Sequence, residues 1–485
     1  MSAARRAVEY LPHDSYAHSI LGRLLAFSGH REEARAALRR AIELDVDNSA
    51  AMQSLLETDG PAELREDVRF VLDLLGERVS QGPGLTEAAY LSRCLPHDER
   101  IERLRRLVER VPRRPDGWEA VVRACIDAGD LDEARRLVTE ASARFPYWVS
   151  LHLLAADVAR LANDDAELEA ALRRAAERAP LWPDPVACLA RVLRERGELE
   201  RAGELVDGAL ARMPRAIALR SERATILWAR GDRELAFEAM LEAVRDAFYH
   251  DDAFRRLTVW ATELGRRADV EALVRAEMAK SESASLPPYR LALLLSEPER
   301  LDERVEAARE ALRRNPRHAE AADLLAEVLA RAGRYEEALE ACPPPEWRGV
   351  VPTTIRGRRT WVLAEAGRMD EAIAAMGTIL AAEPSYGWGR RNLCDWLDRR
   401  GDTQGFLHHA QKLVEHEPQL GLNHVYLGDA LLATGAHEEA RAAFARATEL
   451  SPENSYAVTR FVELDLERGG DPIAALERAK HVLSP

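Results

Sequence analysis

Apolar positions recur along this chain as pairs of helical stripes. Between Glu417 and Pro452, the segment LGLNHVYLGDALLATG carries Leu427, Leu431 and Leu432 at helical spacing. The segment HEEARAAFARATELSP that follows carries Ala440, Phe444 and Ala447 in the same way. Gly435 sits between the stripes, where the first helix must stop and the chain reverse, a position suited to positive φ. Pro452 follows the second stripe and blocks its continuation, at a place where a missing N–H costs nothing. The predicted unit is a helix, a tight turn, a second helix and a proline stop.

This unit repeats. Pro112, Pro146, Pro180, Pro214, Pro316, Pro384, Pro418 and Pro452 are separated by 34 residues or multiples of 34. Gly129, Gly197, Gly231, Gly265, Gly333, Gly367, Gly401, Gly435 and Gly469 keep the same interval. A fixed period of this size marks a stacked repeat architecture. Length alone would suggest about three ordinary domains. The period replaces them with one array of about fourteen units counted from Pro12.

The units resemble the tetratricopeptide repeat (TPR) family, which has small residues where paired helices touch and a proline at repeat position 32. Ala34, Ala134, Ala202, Ala236, Ala338, Ala372, Ala440 and Ala474 fall at position 20, and Ala41, Ala141, Ala175, Ala209, Ala243, Ala311 and Ala447 at position 27. Leu21–Gly22 and Leu427–Gly428 reproduce the family's Leu–Gly pair. The resemblance covers nearly the whole chain. It implies an all-α fold, a right-handed α-solenoid of about fourteen helix-turn-helix units without β-sheet.

Departures from the period divide the array. Residues 1–112 form an N-terminal segment with two degenerate repeats, where GPG (Gly82 to Gly84) interrupts and the phase shortens. Residues 113–342 form a central run, in which SESASLPP (Ser281 to Pro288) reads as a mobile connector. The prolines of 343–352 cannot continue a helix and mark a break before the C-terminal run 353–485. Ser2 to Leu11 reads as a second helix without a first, and no polar capping helix closes the other end. Because solenoids need polar caps, the sequence reads as an excerpt of a longer protein or as ends covered by a partner, with a naturally ragged chain as the alternative.

Composition narrows the function classes. The net charge of −15 argues against nucleic acid and anionic membrane as partners. No run of about 18 apolar residues offers a membrane span, and MSAARRAVEYLPHD lacks the apolar core of a signal peptide. The five scattered cysteines suit a reducing compartment, so a cytoplasmic location is expected. Only three of the 68 basic residues are lysines (Lys280, Lys412 and Lys480), a bias expected of a GC-rich bacterial genome.

Catalytic motifs are missing: there is no GxGxxG after a strand, no GxxxxGK[ST], no HExxH and no GxSxG. No enzyme activity and no cofactor are expected. His408, His409 and His416 form the densest histidine group and His250–Asp251–Asp252 the nearest approach to a ligand cluster, but neither has a third ligand at metal spacing. Glu32–Glu33, Glu336–Glu337 and Glu438–Glu439 recur just after the turn, where acids favour the helix dipole, and are not acid–base pairs.

The resemblance also implies a concave groove lined by first-helix positions 2, 5, 6, 9, 12 and 13. Carried onto this chain, those positions give Arg191, Arg194, Trp228, Arg255 and Arg256 in the central repeats. In the C-terminal repeats they give Arg358, Trp361, Trp388, Arg391, Asn392, Asp395, Tyr426, Asp429, Tyr456 and Arg460. Aromatic and arginine side chains are the usual interface anchors, so the C-terminal set is the candidate peptide- or partner-binding surface. The other reading is structural aromatics with solvated arginines: Trp118 occupies a common core position of the family and Trp347 is a stray linker aromatic. The carboxylate clamp of chaperone-binding TPR domains is absent, because only Asn392 matches while Gly357, Trp361, Leu422 and Tyr426 do not. The asparagine ladder of sugar-transferase TPR arms is absent too, and no helix-turn-helix DNA-binding segment suggests a pheromone regulator. The expected function is a non-catalytic scaffold binding a protein or peptide. The alternatives are a recognition or regulatory arm of a larger glycosyltransferase or peptidase, and an assembly scaffold that associates end to end.

Overall fold

The structure, a computed structural model, describes residues 2–58, 61–78, 80–345, 347 and 351–470. Among the described residues there are 28 α-helices and no strand. The chain divides into two compact units, Met1–Leu273 and Val274–Pro485. Within each unit most consecutive helices pack as antiparallel pairs, and most pairs pack on the next.

The alanine positions explain the pairing. Ala34, Ala134, Ala202, Ala236, Ala338, Ala372 and Ala440 are fully buried, as are Ala41, Ala141, Ala175, Ala243, Ala311 and Ala447. A side chain of one carbon lets two helix backbones approach closely and costs no rotamer entropy. Ala474 lies outside the described residues. Glycine allows a closer approach still: a Cβ on Gly22 would sit 2.6 Å from Leu38 Cγ, and one on Gly428 2.7 Å from the Phe444 ring.

Most described turn tips use positive φ. Gly231 (φ 95°) and Gly401 (φ 77°) cap the helices Ile217–Arg230 and Gly387–Arg400 in the left-handed conformation, where glycine carries no Cβ penalty. One turn departs from glycine. Asn163 holds φ 53° at the corresponding place in its repeat, a conformation that asparagine tolerates better than other side chains.

The irregular segments are built by long-range polar contacts. In the N-terminal unit, the Asp47 carboxylate accepts hydrogen bonds from Ser80 Oγ (2.6 Å), Gln81 N (2.9 Å), Gly82 N (2.8 Å) and Gly84 N (2.9 Å). Arg114 donates to the carbonyls of Ser80 and Gly82, each at 2.9 Å. The GPG stretch is therefore clamped between two neighbouring repeats. Further along, Arg314 donates to the carbonyls of Ser281 (2.8 Å) and Ala284 (3.1 Å), and the helix Leu286–Leu294 starts inside the SESASLPP segment with Pro287 and Pro288 buried in its first turn. The second helix of the tenth repeat is cut to Tyr335–Glu340, and the helix Ala319–Arg331 packs on Thr353–Glu365. Trp347, between them in sequence, is buried.

The acidic residues after the turns do more than face a helix dipole. Arg5 pairs with Glu33 (2.6 Å), Arg105 with Glu133 (2.5 Å) and Arg309 with Glu337 (2.6 Å), always 28 residues apart. The Arg334 hydrogen bond, with Arg309 in support, holds the Glu337 carboxyl at about 2. These ties join second helices of adjacent repeats. Lying at the surface or only partly buried, such ties add little to stability.

Candidate functional site

The C-terminal candidates stand on four successive first helices: Thr353–Glu365, Gly387–Arg400, Gly421–Ala433 and Ser455–Glu467. Residues one repeat apart on these helices become neighbours, and most of the row is joined by contacts between repeats. Arg358 forms a fork on Asp323 of the preceding repeat, Nε to Oδ1 at 2.7 Å and Nη2 to Oδ2 at 2.9 Å, with Glu327 at 3.3 Å. Its guanidinium lies over the rings of Trp361 (5.0 Å) and Trp388 (5.4 Å). Burial opposes the Arg358 charge, but the Asp323 and Glu327 carboxylates outweigh it and raise its pKa above the usual guanidinium value. Arg358 is thus a largely buried pillar and not a free arm.

Tyr386 supports the same group from below. Its ring fills the space left by Gly357 and Gly389, and it tilts against Trp388 at 5.9 Å. Burial, reinforced by Asp323, pushes its hydroxyl up to about 12. Gly357, which breaks the expected clamp pattern, is required by this packing. The sequence reading missed both Tyr386 and Asp323. Their signal was the unusual run of glycines at first-helix positions, Gly357, Gly387 and Gly389.

Further along, the partners change from arginine to tyrosine. Tyr426 donates to Asp395 Oδ2 (3.3 Å) and Tyr456 donates to Asp429 Oδ1 (2.7 Å). Arg391 reaches the buried Asn423 (Oδ1, 3.3 Å), whose amide nitrogen donates to the Leu413 and Glu417 carbonyls at 3.0 and 3.2 Å. Two candidates stay local. Asn392 donates to the Trp388 carbonyl of its own helix (2.8 Å), and Arg460 pairs with Glu463 (2.7 Å). Trp361, Trp388 and Tyr426 are partly exposed and Tyr456 is exposed, so aromatic surface remains available along the row.

Burial raises the Asp395 and Asp429 carboxyls, while the tyrosine hydrogen bonds oppose that shift. Their stabilising contribution is therefore greatest below the unfolded value of about 3.9 and falls away as pH rises from there to the raised folded value. Asp429→Asn, which keeps an acceptor for Tyr456, should hold or raise the neutral-pH unfolding midpoint, by an amount equivalent to at most about 1 kcal/mol, and flatten the acid-side gain. A drop in that midpoint would show that the ionised hydrogen bond outweighs desolvation.

His250 and His409 are tied into the fold. His250 Nδ1 accepts from Ala253 N at 3.3 Å and caps its helix. His409 stacks edge-on with His408 and lies 3.1 Å from the Arg390 guanidinium; burial, then Arg390, push its pKa down to about 4. Among the described residues no group of three or more His, Cys, Asp or Glu is placed to hold a metal ion, and no helix is long and apolar enough to cross a membrane. The five cysteines are free thiols, of which Cys342 and Cys394 are pushed by burial up to about 12.

The central candidates lie in the other unit. Trp228 stacks on Trp260 with ring centroids 4.4 Å apart and planes within 2°. On the helix that carries Trp228, Glu222 is almost completely buried and accepts from Arg194 Nε at 2.7 Å. Arg256 donates to Thr225 Oγ1 at 2.7 Å, while Arg255 pairs locally with Asp252.

Models of the tetratricopeptide repeat match residues 289–342 and 407–455, and residues 16–48. Cellulose synthase operon protein C of Pseudomonas fluorescens (strain SBW25) is 25% identical over 422 residues, which cover 79% of this chain and 32% of the relative. The chain thus spans about a third of that relative's length. Among solved structures, it is similar to that of Naa15/Naa10 bound to HypK-THB, with 14% identity, a TM-score of 0.44, and coverage of 99% of this chain and 91% of that one. It is also similar to YrrB, described as a TPR protein with an unusual peptide-binding site, with 16% identity, a TM-score of 0.28, and coverage of 38% and 96%. The matched segments fall on helix pairs whose turns and alanine contacts keep the 34-residue phase. The chain is a tetratricopeptide-repeat protein.

Proposed function

We propose that this chain is a non-catalytic scaffold that binds a protein or peptide partner along the first-helix face of its C-terminal repeats. The observation that carries the reading is the row Trp361, Trp388, Tyr426 and Tyr456. These rings are partly exposed, and their helices are joined across repeats by Arg358–Asp323, Tyr426–Asp395 and Tyr456–Asp429. Rigid aromatic surface loses little conformational entropy on binding, which favours affinity. Arg391, Asn392 and Arg460 supply polar groups beside the rings.

The test is retention of partners from the source cell on the full chain, with mass spectrometry of what is held. Trp388→Ala combined with Arg391→Ala should lower retention of the specific partner by about tenfold or more. Thermal melts of the variant would confirm that it is folded. Unchanged retention would remove this face from the proposal.

A second reading is that the chain is the recognition arm of a larger protein, of glycosyltransferase or peptidase type. It is favoured by the matched relative, of which the aligned region makes up only 32% and whose name refers to a cellulose synthase operon. Reading the gene on either side of this segment decides it: a catalytic domain in the same frame supports the arm, and flanking stop codons exclude it.

A further inference from the structure

The central repeats hold a concentration of positive charge that the proposed C-terminal face does not use. Arg191 and Arg194 stand on the helix Pro183–Glu195, Glu222 and Thr225 on Ile217–Arg230, and Arg256 on Asp251–Glu263. Glu222 is the central carboxylate. Arg194 takes it at 2.7 Å, and Arg191 reaches only 4.0 Å with its side chain half exposed. Arg256 is left with a hydroxyl, Thr225 Oγ1, which itself donates to the Ser221 carbonyl at 2.8 Å. Of the other nearby carboxylates, Glu195 is 3.8 Å from Arg194, and Asp252 is paired with Arg255 while also acting weakly on Arg256.

Three guanidiniums therefore share one buried carboxylate, in a protein whose net charge is −15. Burial pushes the Arg256 pKa below its usual value; Glu222 pulls it back up, and the Arg194 and Arg191 charges push it down further. A guanidinium does not deprotonate in response to such a shift, so what relieves the strain is a further anion. Guanidinium forks match carboxylates in geometry as well as charge. Trp228, on the same helix as Glu222, is partly exposed; it stacks on the buried Trp260 and carries the Arg233 guanidinium over its ring at 5.2 Å, so it offers an edge and not a free face.

We infer that the Arg191–Arg194–Arg256 cluster, with Trp228 at its edge, is a docking site for the carboxylates of an acidic polypeptide segment. The inference goes beyond the C-terminal face and does not depend on it. Helices packed about 8–10 Å apart place the outer arginines within about 20 Å of each other. An extended peptide of about six residues spans that distance. A long polyanion such as nucleic acid is disfavoured, because the surplus is local and the rest of the chain is acidic.

The experiment uses the full chain and fluorescein-labelled peptides followed by anisotropy. One peptide interleaves glutamate with leucine, a second replaces each glutamate by glutamine, and a third is the acidic peptide with an amidated C-terminus. The acidic peptide should bind, the glutamine peptide should bind at least about tenfold more weakly, and affinity should fall as added salt shortens the Debye length from about 10 to about 3 Å. Retained affinity of the amidated peptide assigns recognition to side-chain carboxylates, whereas its loss assigns it to the chain terminus. Arg191→Gln with Arg256→Gln leaves the Arg194–Glu222 pair in place, so the fold should persist by circular dichroism while affinity drops by about tenfold or more. The C-terminal variant Trp388→Ala with Arg391→Ala should bind the acidic peptide like the parent, which separates failure of this site from failure of the other. Equal binding of acidic and glutamine peptides, undiminished binding by the arginine variant, or preference for a single-stranded oligonucleotide would overturn the assignment.

Discussion

Replacing Gly84 with alanine is expected to destabilise the N-terminal unit by about 3 kcal/mol. A Cβ at this position would fall on the Val46 carbonyl oxygen, and it would also press on Asp47 Oδ1 at 2.8 Å. Backbone cannot step aside as a long side chain can. The clash would therefore displace the Asp47 carboxylate from the four donors it satisfies: Ser80 Oγ and the amides of Gln81, Gly82 and Gly84. Buried amides left without an acceptor cost about 1–3 kcal/mol each, although water entering the opened loop recovers part of that. Gly76→Ala is the control. Gly76 lies in the helix Pro61–Glu77 with open space around it, so alanine there should stabilise by about 0.5–1 kcal/mol. Urea midpoints of the two variants should move in opposite directions. If Gly84→Ala leaves the midpoint where it was, the Asp47 clamp contributes nothing.

Arg358→Ala carries the second large effect, a loss of about 2–3 kcal/mol in the C-terminal unit. The substitution strands Asp323, which loses both arms of its fork. It also removes the flat cation packed over Trp361 and Trp388. Removing one partner of a fully buried ion pair costs about 3–5 kcal/mol, and the smaller figure here reflects Asp323 being one-third exposed. Arg358→Lys should fall between the parent and the alanine variant, because a lysine keeps the charge but loses the fork and the stacking. A double-mutant cycle with Asp323→Ala isolates the pair and should return a coupling above about 1 kcal/mol. Intrinsic tryptophan emission should shift in step. If Arg358→Ala kept full stability and lost only partner binding, Arg358 would be a binding arm rather than a pillar.

These two sites show what sequence can and cannot disclose in such a chain. The alanines at positions 20 and 27 were legible because the same helix contact recurs every 34 residues, and repetition makes it visible. The turn at Asn163 was hidden only because asparagine does glycine's work there. Asp47 and Gly84 were opaque for the opposite reason: their contact occurs once, 37 residues apart, and no periodicity announces a single event. Repeat phase names the C-terminal candidates residue by residue, but not their internal partners. A position in the repeat tells which face a side chain occupies, and says nothing of whether the neighbouring repeat already holds it. Repeat position thus names Arg358 and Tyr426 but not their engagement with Asp323 and Asp395.

The turn tips have a further use. A Cβ added at Gly29, Gly129, Gly197, Gly231, Gly333, Gly367 or Gly435 would meet nothing within 4 Å. Only backbone conformation constrains these loops, and extra residues can supply it. Exposed tips of this kind are where foreign chain is tolerated best. Each is therefore a port for a fluorophore, an epitope or a whole inserted domain. A set of tags stepped along the tips would work as a ruler, reporting which repeats a captured partner touches while leaving both groups of arginines and aromatics untouched.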